Sequence, residues 1–272
     1  MIRIRNMFIL AFAALLAGGP ASAASDLAKV RASGKLTILT DLSDPNDLSK
    51  LFFRGASGYD GIEYVILQSF AKTLGAKAEV SIVPFSEVFD ALGKGRGDVV
   101  GADITATPER ASRFDLSDSY FPFVQMVVTR TSEKARSFED LAGKNAITQK
   151  GTTWETACRR VPRARLLYTD HQRDLFGRVA DGSADFAVVD SPIALTYIEH
   201  YPNLKLAWSL PGKEDLAFAL RKGSDLTPLL NAHIRKLKSS GAYYALLGRF
   251  YGQKGLSIIR ASESAPAPPA KR

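Results

Sequence analysis

The chain has 272 residues, with 36 Lys and Arg against 28 Asp and Glu, a net charge of +8 and a pI near 9.5. Hydrophobic residues make up 46% and charged residues 24%, ordinary globular values that exclude wholesale disorder. A single cysteine excludes an internal disulfide, a thiolate zinc cage and an iron–sulfur cluster.

Residues 1–23 read as a secretory signal. Arg3 and Arg5 form a basic start, residues 7–16 are apolar, Gly18, Gly19 and Pro20 break the run, and Ala21-Ser22-Ala23 is a small-residue cleavage site. The apolar run is shorter than the roughly 20 residues a membrane helix needs. No cysteine follows it for lipid attachment, and no later segment approaches a span. The expectation is a soluble product in the periplasm. Losing Arg3 and Arg5 leaves 34 basic residues against 28 acidic ones, or +6. Cys158 is expected to serve as a small buried hydrophobe.

Beyond the signal, short β-like runs alternate with helical patterns, which predicts an α/β fold with parallel sheets. Lys35–Thr40 is the first strand. Ile62, Val65, Ile66, Phe70 and Leu74 follow at helical spacing, and Gly75 stops that helix. Residues 78–83 form a second strand, and Ser86 caps a short helix carrying Val88, Phe89 and Leu92. Residues 98–102 form a third strand. After Pro122 comes a long strand over residues 123–130, then strands over 145–149, 165–168 and 185–189, and another over 216–220. Two helical patterns end near Tyr251, and the Ser-, Ala- and Pro-rich tail 261–272 is expected to be disordered.

An internal echo divides the chain. The stretch from Phe89 through Asp98 to Asp103 resembles the one from Leu175 through Asp185 to Asp190: helix end, glycine turn, aspartate, apolar strand, aspartate at the strand exit. Asp98 and Asp185 lie 87 positions apart, which predicts one equivalent unit in each half. Chance similarity between α/β turns is the alternative. The predicted organisation is a first lobe of residues 24–122 plus 218–260 and a second lobe of residues 123–217.

Three strand-to-helix junctions carry the chemistry. In Thr105-Ala-Thr107-Pro108-Glu109-Arg110, Thr107 is an N-cap, Pro108 suits the first helical position and Glu109 complements the dipole. Arg110 then sits in a first turn that favours anions, and its planar fork matches a carboxylate. An ion pair with Asp115 or Asp118 is the alternative. In Gly151-Thr152-Thr153-Trp154-Glu155, Thr152 and Glu155 have capping-box spacing, and Thr153 can serve the same anion. In Asp190-Ser191-Pro192, Ser191 reads as the cap, and Asp190 at the strand exit can receive an ammonium group or complement the helix dipole. Ligands of open α/β sheets bind beyond the carboxyl ends of the strands. If the halves face each other, a zwitterion such as an amino acid satisfies Arg110 and Asp190 together.

The order and spacing of these segments resemble the periplasmic solute-binding proteins of polar amino-acid ABC transporters, family 3. The marks run through most of the chain: Ser33-Gly-Lys-Leu-Thr-Ile-Leu, Gly97-Asp98, Thr105 to Arg110, Phe114-Asp-Leu-Ser-Asp-Ser-Tyr120, Ser137-Phe-Glu-Asp-Leu-Ala-Gly-Lys144, Gly151-Thr-Thr153, Gly182-Ser-Ala-Asp185, Val189-Asp190-Ser191 and Gly241-Ala-Tyr243. The resemblance implies a two-lobed periplasmic-binding-protein (type II) fold with a hinge and a ligand cleft between lobes. It implies an inner-membrane ABC permease as partner, a monomer, and no cofactor. By position, Arg110 matches the arginine on the ligand carboxylate, with Thr105, Thr152 and Thr153 assisting, and Asp190 matches the acid on the amino group. Phe52 or Phe53 supplies the aromatic against the ligand, and Asp41 can line the same opening.

Two features depart from the family. Asp103 stands where a small residue is usual, which favours a cationic ligand or a second amine, or else an outward pairing with a lysine. The loop over residues 42–58 is long and polar. Gly61-Ile-Glu63-Tyr64 also resembles the regulatory solute-binding domain of some membrane-bound lytic transglycosylases, whose catalytic domain would need more chain than the short tail. The enzymatic alternative is a cyclohexadienyl dehydratase, which resembles these binding proteins and would need Glu63, Asp103 or Glu155 as general acid. His171, His200 and His233 lack metal-ligand spacing, and no Gly-x-Ser-x-Gly elbow occurs. Arg159, Arg160, Arg163 and Arg165 form the one dense basic patch, with no interleaved aromatics of the kind nucleic-acid binding uses.

Overall fold

β-Branched runs and amphipathic helices alternate along the chain to build two five-stranded sheets in the computed structural model, which describes residues 25–42 and 48–263. The expected signal segment, residues 43–47 of the polar loop and the tail from residue 264 lie outside the described residues. The first sheet runs Lys77–Ile82, Lys35–Thr40, Val99–Val100, Ala219–Arg221 and Phe114–Leu116. The second runs Arg165–Tyr168, Asn145–Thr148, Phe186–Asp190, Gln125–Arg130 and Leu204–Ser209.

Both sheets are mixed, which corrects the expectation of parallel sheets. Three strands of each are parallel neighbours, a fourth runs the opposite way, and the fifth pairs antiparallel with that fourth. The cause is the path of the chain. Ala219–Arg221 returns to the first sheet only after the second is finished, and it enters against Val99–Val100 in the opposite direction. The expected strand over 123–130 is accordingly split. Gln125–Arg130 joins the second sheet, whereas Phe121–Phe123 pairs with Glu214–Leu216 in a separate two-stranded ribbon. The same ribbon divides the expected strand over 216–220. The third strand is also shorter than expected, Val99–Val100 alone.

The echo has a physical basis. Asp98 Oδ2 accepts the backbone N–H of Thr37 at 2.8 Å, and Asp185 Oδ2 accepts that of Asn145 at 2.9 Å. Each aspartate also meets an arginine from the antiparallel neighbour. Arg221 Nη2 reaches Asp98 Oδ1 at 3.4 Å while Nη1 donates to the carbonyls of Leu92 and Gly97. Arg130 Nη2 reaches Asp185 Oδ1 at 3.0 Å while Nη1 donates to the carbonyls of Val179 and Ala184. Both arginines thus tie a helix end, a turn and a strand start together. Arg221 further bonds Asp26 Oδ1 at 2.7 Å, anchoring helix Asp26–Ser33. Their side chains are 20% and 26% exposed, so partial screening applies. Replacing Arg221 or Arg130 by methionine is expected to cost about 2 kcal/mol each. Urea unfolding checks this, and a change within about 0.5 kcal/mol would refute it.

Helix Ile62–Thr73 buries Ile62, Ile66, Leu67, Phe70 and Ala71 against the first sheet. Gly61 starts it at φ 112°, and a Cβ there would lie 2.5 Å from the carbonyl oxygen of Leu51. Only glycine lets this loop press against the helix start. Cys158 is wholly buried among Val127, Ala146, Phe186 and Val188, where burial pushes its thiol up to about 12. The helical expectation stopped too early at the C-terminus. The last helix spans Ala242–Glu263, kinked at Gly252, and continues because Leu256 and Ile259 are buried on the far side. Residues 261–263 are therefore helical. Among the described residues no helix is long and apolar enough to cross a membrane.

Candidate ligand-binding cleft

The three junctions converge on one cavity. Thr107 caps helix Pro108–Arg113 by accepting the Arg110 N–H at 3.2 Å, as its sequence predicts. This cap fixes Arg110 in the first turn. Its guanidinium donates to the carbonyl oxygens of Thr105 at 2.9 Å and Gly151 at 3.4 Å. It lies over the rings of Phe89 and Phe85, 5.3 and 5.9 Å from their centroids. Burial lowers its pKa, with Asp190, Glu109 and Glu214 opposing the shift. The alternative of an ion pair with Asp115 or Asp118 is not what the structure contains. Asp115 meets Lys222, and Asp118 meets Arg235.

At the second junction Thr152 caps helix Thr153–Cys158, accepting the Glu155 N–H at 3.2 Å and donating to the Gln149 carbonyl at 2.6 Å. Glu155 reaches back to the Gly151 N–H at 2.8 Å, one residue earlier than an ordinary capping box. Its other oxygen binds Arg159 at 2.6 Å and Tyr168 at 2.9 Å. Of the three candidate acids for a dehydratase, Glu155 therefore does not line the cavity, whereas Glu63 and Asp103 do. Thr152→Ala removes the cap, and thermal unfolding is expected to report a loss of about 1 kcal/mol.

The third junction differs from its sequence reading. Asp190, not Ser191, is the N-cap residue of helix Ser191–Tyr197, and it makes no side-chain capping bond. Its carboxyl instead turns into the cavity, where it is 2% exposed. The Trp154 and Gln125 side chains hydrogen-bond to it, while Oδ1 has no partner. Burial, with Glu214 adding to it, pushes Asp190 up to about 8 despite the opposing charge of Arg110.

From the first half of the chain the cavity is lined by Thr40, Asp41, Ser49, Phe52, Glu63, Phe85, Ala102, Asp103, Thr105 and Arg110. From the second it is lined by Gln149, Thr152, Thr153, Trp154, Gln172 and Asp190. Direct bonds cross it: Gln149 Nε2 to Asp41 Oδ2 at 3.3 Å, and Thr105 Oγ1 with Thr153 Oγ1 at 3.3 Å. Beside it, the Leu48 N–H meets Tyr197 OH at 3.1 Å. Every site residue expected from the sequence lines the cavity except Phe53. Between the two aromatic candidates, Phe52 faces the cavity and packs on Tyr64, whereas Phe53 turns outward to Phe250 at 6.1 Å. Adjacent positions of an extended segment point to opposite faces. Asp103 points into the cavity wall at φ 55°, a left-handed conformation that aspartate tolerates better than most side chains.

Sequence reasoning missed Thr40, Ser49, Phe85, Ala102, Gln149, Trp154 and Gln172. Gln149 and Trp154 flank the Gly151-Thr152-Thr153 turn and could have been found from it. Ser49 and Gln172 carry no local signal. Four lining residues hold buried atoms without a hydrogen-bond partner: Thr40 Oγ1, Glu63 Oε2, Gln172 Oε1 and Asp190 Oδ1. Such atoms are rare in folded proteins and mark a place where a polar group completes the network. The histidines lie apart from this cavity, with His233 Nε2 2.7 Å from Ser69 Oγ. Among the described residues no group of three or more His, Cys, Asp or Glu is placed to hold a metal ion.

Two α/β lobes meeting at a polar cleft beyond the strand ends define a binding protein for a small solute. The chain belongs to the bacterial extracellular solute-binding proteins, family 3, whose profile matches residues 47–253. Among curated proteins it is similar to membrane-bound lytic murein transglycosylase F of Saccharophagus degradans, 28% identical over 239 residues, which cover 84% of this chain and 47% of the relative. The Desulfosudis oleivorans protein of that name is 27% identical over 237 residues, covering 82% and 50%. The chain spans about half the length of the curated relatives it matches. Among solved structures, an ancestral amino acid-binding protein, a precursor of cyclohexadienyl dehydratase, is 30% identical with a TM-score of 0.75, over 83% of this chain and 99% of that one. An ancestral arginine-binding protein bound to arginine is 29% identical with a TM-score of 0.74, over 80% and 99%. The substrate-binding protein of an amino acid ABC transporter is 29% identical with a TM-score of 0.73, over 80% and 100%.

Proposed function

We propose that the protein captures an amino acid or a similar carboxylate-bearing solute in the periplasm and delivers it to an inner-membrane ABC permease. It acts as a monomer, without a cofactor and without turning its ligand over. The observation that carries this reading is the pairing of Arg110 and Asp190 in one cavity, with Asp190 Oδ1 buried and unpartnered. Arg110 takes the α-carboxylate, assisted by Thr105, Thr152 and Thr153. Asp190 takes the α-ammonium, which returns its carboxyl to the ionised form. Phe52 and Phe85 cover the ligand's apolar stem. Residues 24–122 with 218–260 form one lobe and 123–217 the other, closing over the ligand about the crossing ribbon. The amino-acid-binding neighbours support this assignment.

Calorimetric titration of the secreted protein with the common amino acids tests it, together with mass spectrometry of whatever copurifies. Saturable binding of one amino-acid class is expected, and prephenate is expected to remain intact over the same time. Binding of no amino acid, or turnover of prephenate, would overturn the reading. The half-length match to the transglycosylases favours a second reading, in which the cleft senses a solute for a partner enzyme. Uptake of the bound amino acid by cells, lost on deletion of the protein, separates delivery from sensing.

A further inference from the structure

Two carboxyl groups in the cleft have no role in gripping an α-carboxylate and an α-ammonium. Glu63 is wholly buried in the first turn of helix Ile62–Thr73. Its Oε1 accepts both the Tyr120 hydroxyl and the Asp103 N–H, the latter at 3.1 Å. Glu63 lines the same cavity, and its Oε2 is buried and without a partner. The Asp103 side chain stands within hydrogen-bonding reach of Glu63. Thr40 Oγ1, also wholly buried, lacks a partner in the same cavity. Of the described residues lining the cavity, Arg110 is the one cation, against the carboxyls of Asp41, Glu63, Asp103 and Asp190.

This wall offers acceptors to a ligand. Glu63 is wholly buried and Asp103 beside it is half-buried; adjacent carboxyls resist ionising together, and a cation beside them relieves both the desolvation and the mutual repulsion. A neutral apolar group there would leave Glu63 Oε2 unpaired. We propose that Glu63 and Asp103 form a second subsite that takes a cationic group. The captured solute is then an α-amino acid with a guanidinium or ammonium side chain. This rests on the reading of Arg110 and Asp190 as the amino-acid grip. Tyr120 is a positioning residue: its hydroxyl occupies Glu63 Oε1 and leaves Oε2 to the ligand.

The test is calorimetric titration with matched pairs that differ in side-chain charge, L-arginine against L-citrulline and L-lysine against L-norleucine. In at least one pair the cationic member is expected to bind at least about tenfold tighter, the worth of one charge-assisted hydrogen bond. Glu63→Gln and, separately, Asp103→Asn are expected to bring that ratio within about threefold of unity while the neutral member keeps its affinity. A purely structural role for Glu63 would weaken both members alike. A wild-type protein without charge preference, or a preference that survives both substitutions, overturns the subsite. Arg110→Ala distinguishes the two failures. If it abolishes binding of every member while the charge preference proves insensitive, the grip stands and the second subsite alone is wrong. If it leaves all four affinities intact, or if wild type binds none of them, the grip and the subsite fall together. Should Glu63→Gln fail to fold, Asp103→Asn and the wild-type ratio decide.

Discussion

Arg110→Ala is expected to weaken amino-acid binding by at least about 100-fold, the largest loss from any single cleft substitution. A bidentate charge-assisted contact to a desolvated carboxylate is worth roughly 3 kcal/mol or more, and every 1.4 kcal/mol is a factor of ten. Two features raise the value of this arginine. The cap from Thr107 and the Thr105 carbonyl preset its position, so little side-chain freedom is lost on binding. Burial has already lowered the pKa of the guanidinium, so an incoming carboxylate supplies the charge that solvent does not. Arg110→Lys keeps the charge and loses the planar fork, and it is expected to recover less than a tenth of the affinity. The bond from Arg110 to the Gly151 carbonyl also spans the cleft, so loss of the side chain removes a contact between the halves. Calorimetry of both variants, with far-ultraviolet dichroism to show that each folds, decides the matter. An alanine variant within threefold of wild type would mean that the carboxylate lies elsewhere.

The features legible in the sequence were those fixed by local chemistry. Thr107-Pro108 and Thr152 announce helix starts because capping is settled within three or four residues, and the structure has both. The aspartates of the echo, Asp98 and Asp185, were visible because each satisfies a backbone N–H of the neighbouring parallel strand. What escaped was set by contacts distant in the chain. The one reversed strand in each sheet, Ala219–Arg221 and Gln125–Arg130, depends on the chain crossing twice between lobes, and no short window records that. Asp190 reads as a residue before a Ser-Pro cap, but packing against Trp154 and Gln125 turns its carboxyl inward and leaves it as the N-cap position itself. Gln172, the first residue of helix Gln172–Ala180, and Ser49, in a loop, enter the cavity from opposite halves. Phe52 and Phe53 were indistinguishable because either face of an extended segment could have been the inner one. The net charge of +8 does not describe the cavity, which is lined by four carboxyls and one arginine. Its basic residues lie mostly on the outside, where charge affects solubility and encounter more than ligand choice.

Asp190→Asn is expected to make the protein more stable at pH 8 while weakening amino-acid binding by at least about tenfold. In the fold Asp190 is held up at about 8, against 3.8 when unperturbed, chiefly because burial penalises the charged form. Between those two values the folded chain keeps a proton that the unfolded chain releases. Stability therefore falls as pH rises through this window. Glu63, pushed up to about 7 by the same cause, adds a fall of the same sign. A tenfold difference in proton affinity between the folded and unfolded chain is worth roughly 1.4 kcal/mol, and relaxation of the cleft leaves only part of the full cost, about 2 kcal/mol at pH 8. At pH 4 the protonated carboxyl and the amide are near equivalents, and the two proteins are expected to unfold at the same urea concentration. At pH 8 the variant is expected to melt about 5 °C higher. A variant less stable than wild type at pH 8 would show that Asp190 is already compensated without a ligand. The wild-type cost has a use. An ammonium group entering the cleft relieves an unfavourable carboxyl as well as forming a new ion pair, so part of the binding energy is stored in the free protein. Asparagine removes both the cost and the store, which is why its gain in stability and its loss of affinity have one cause.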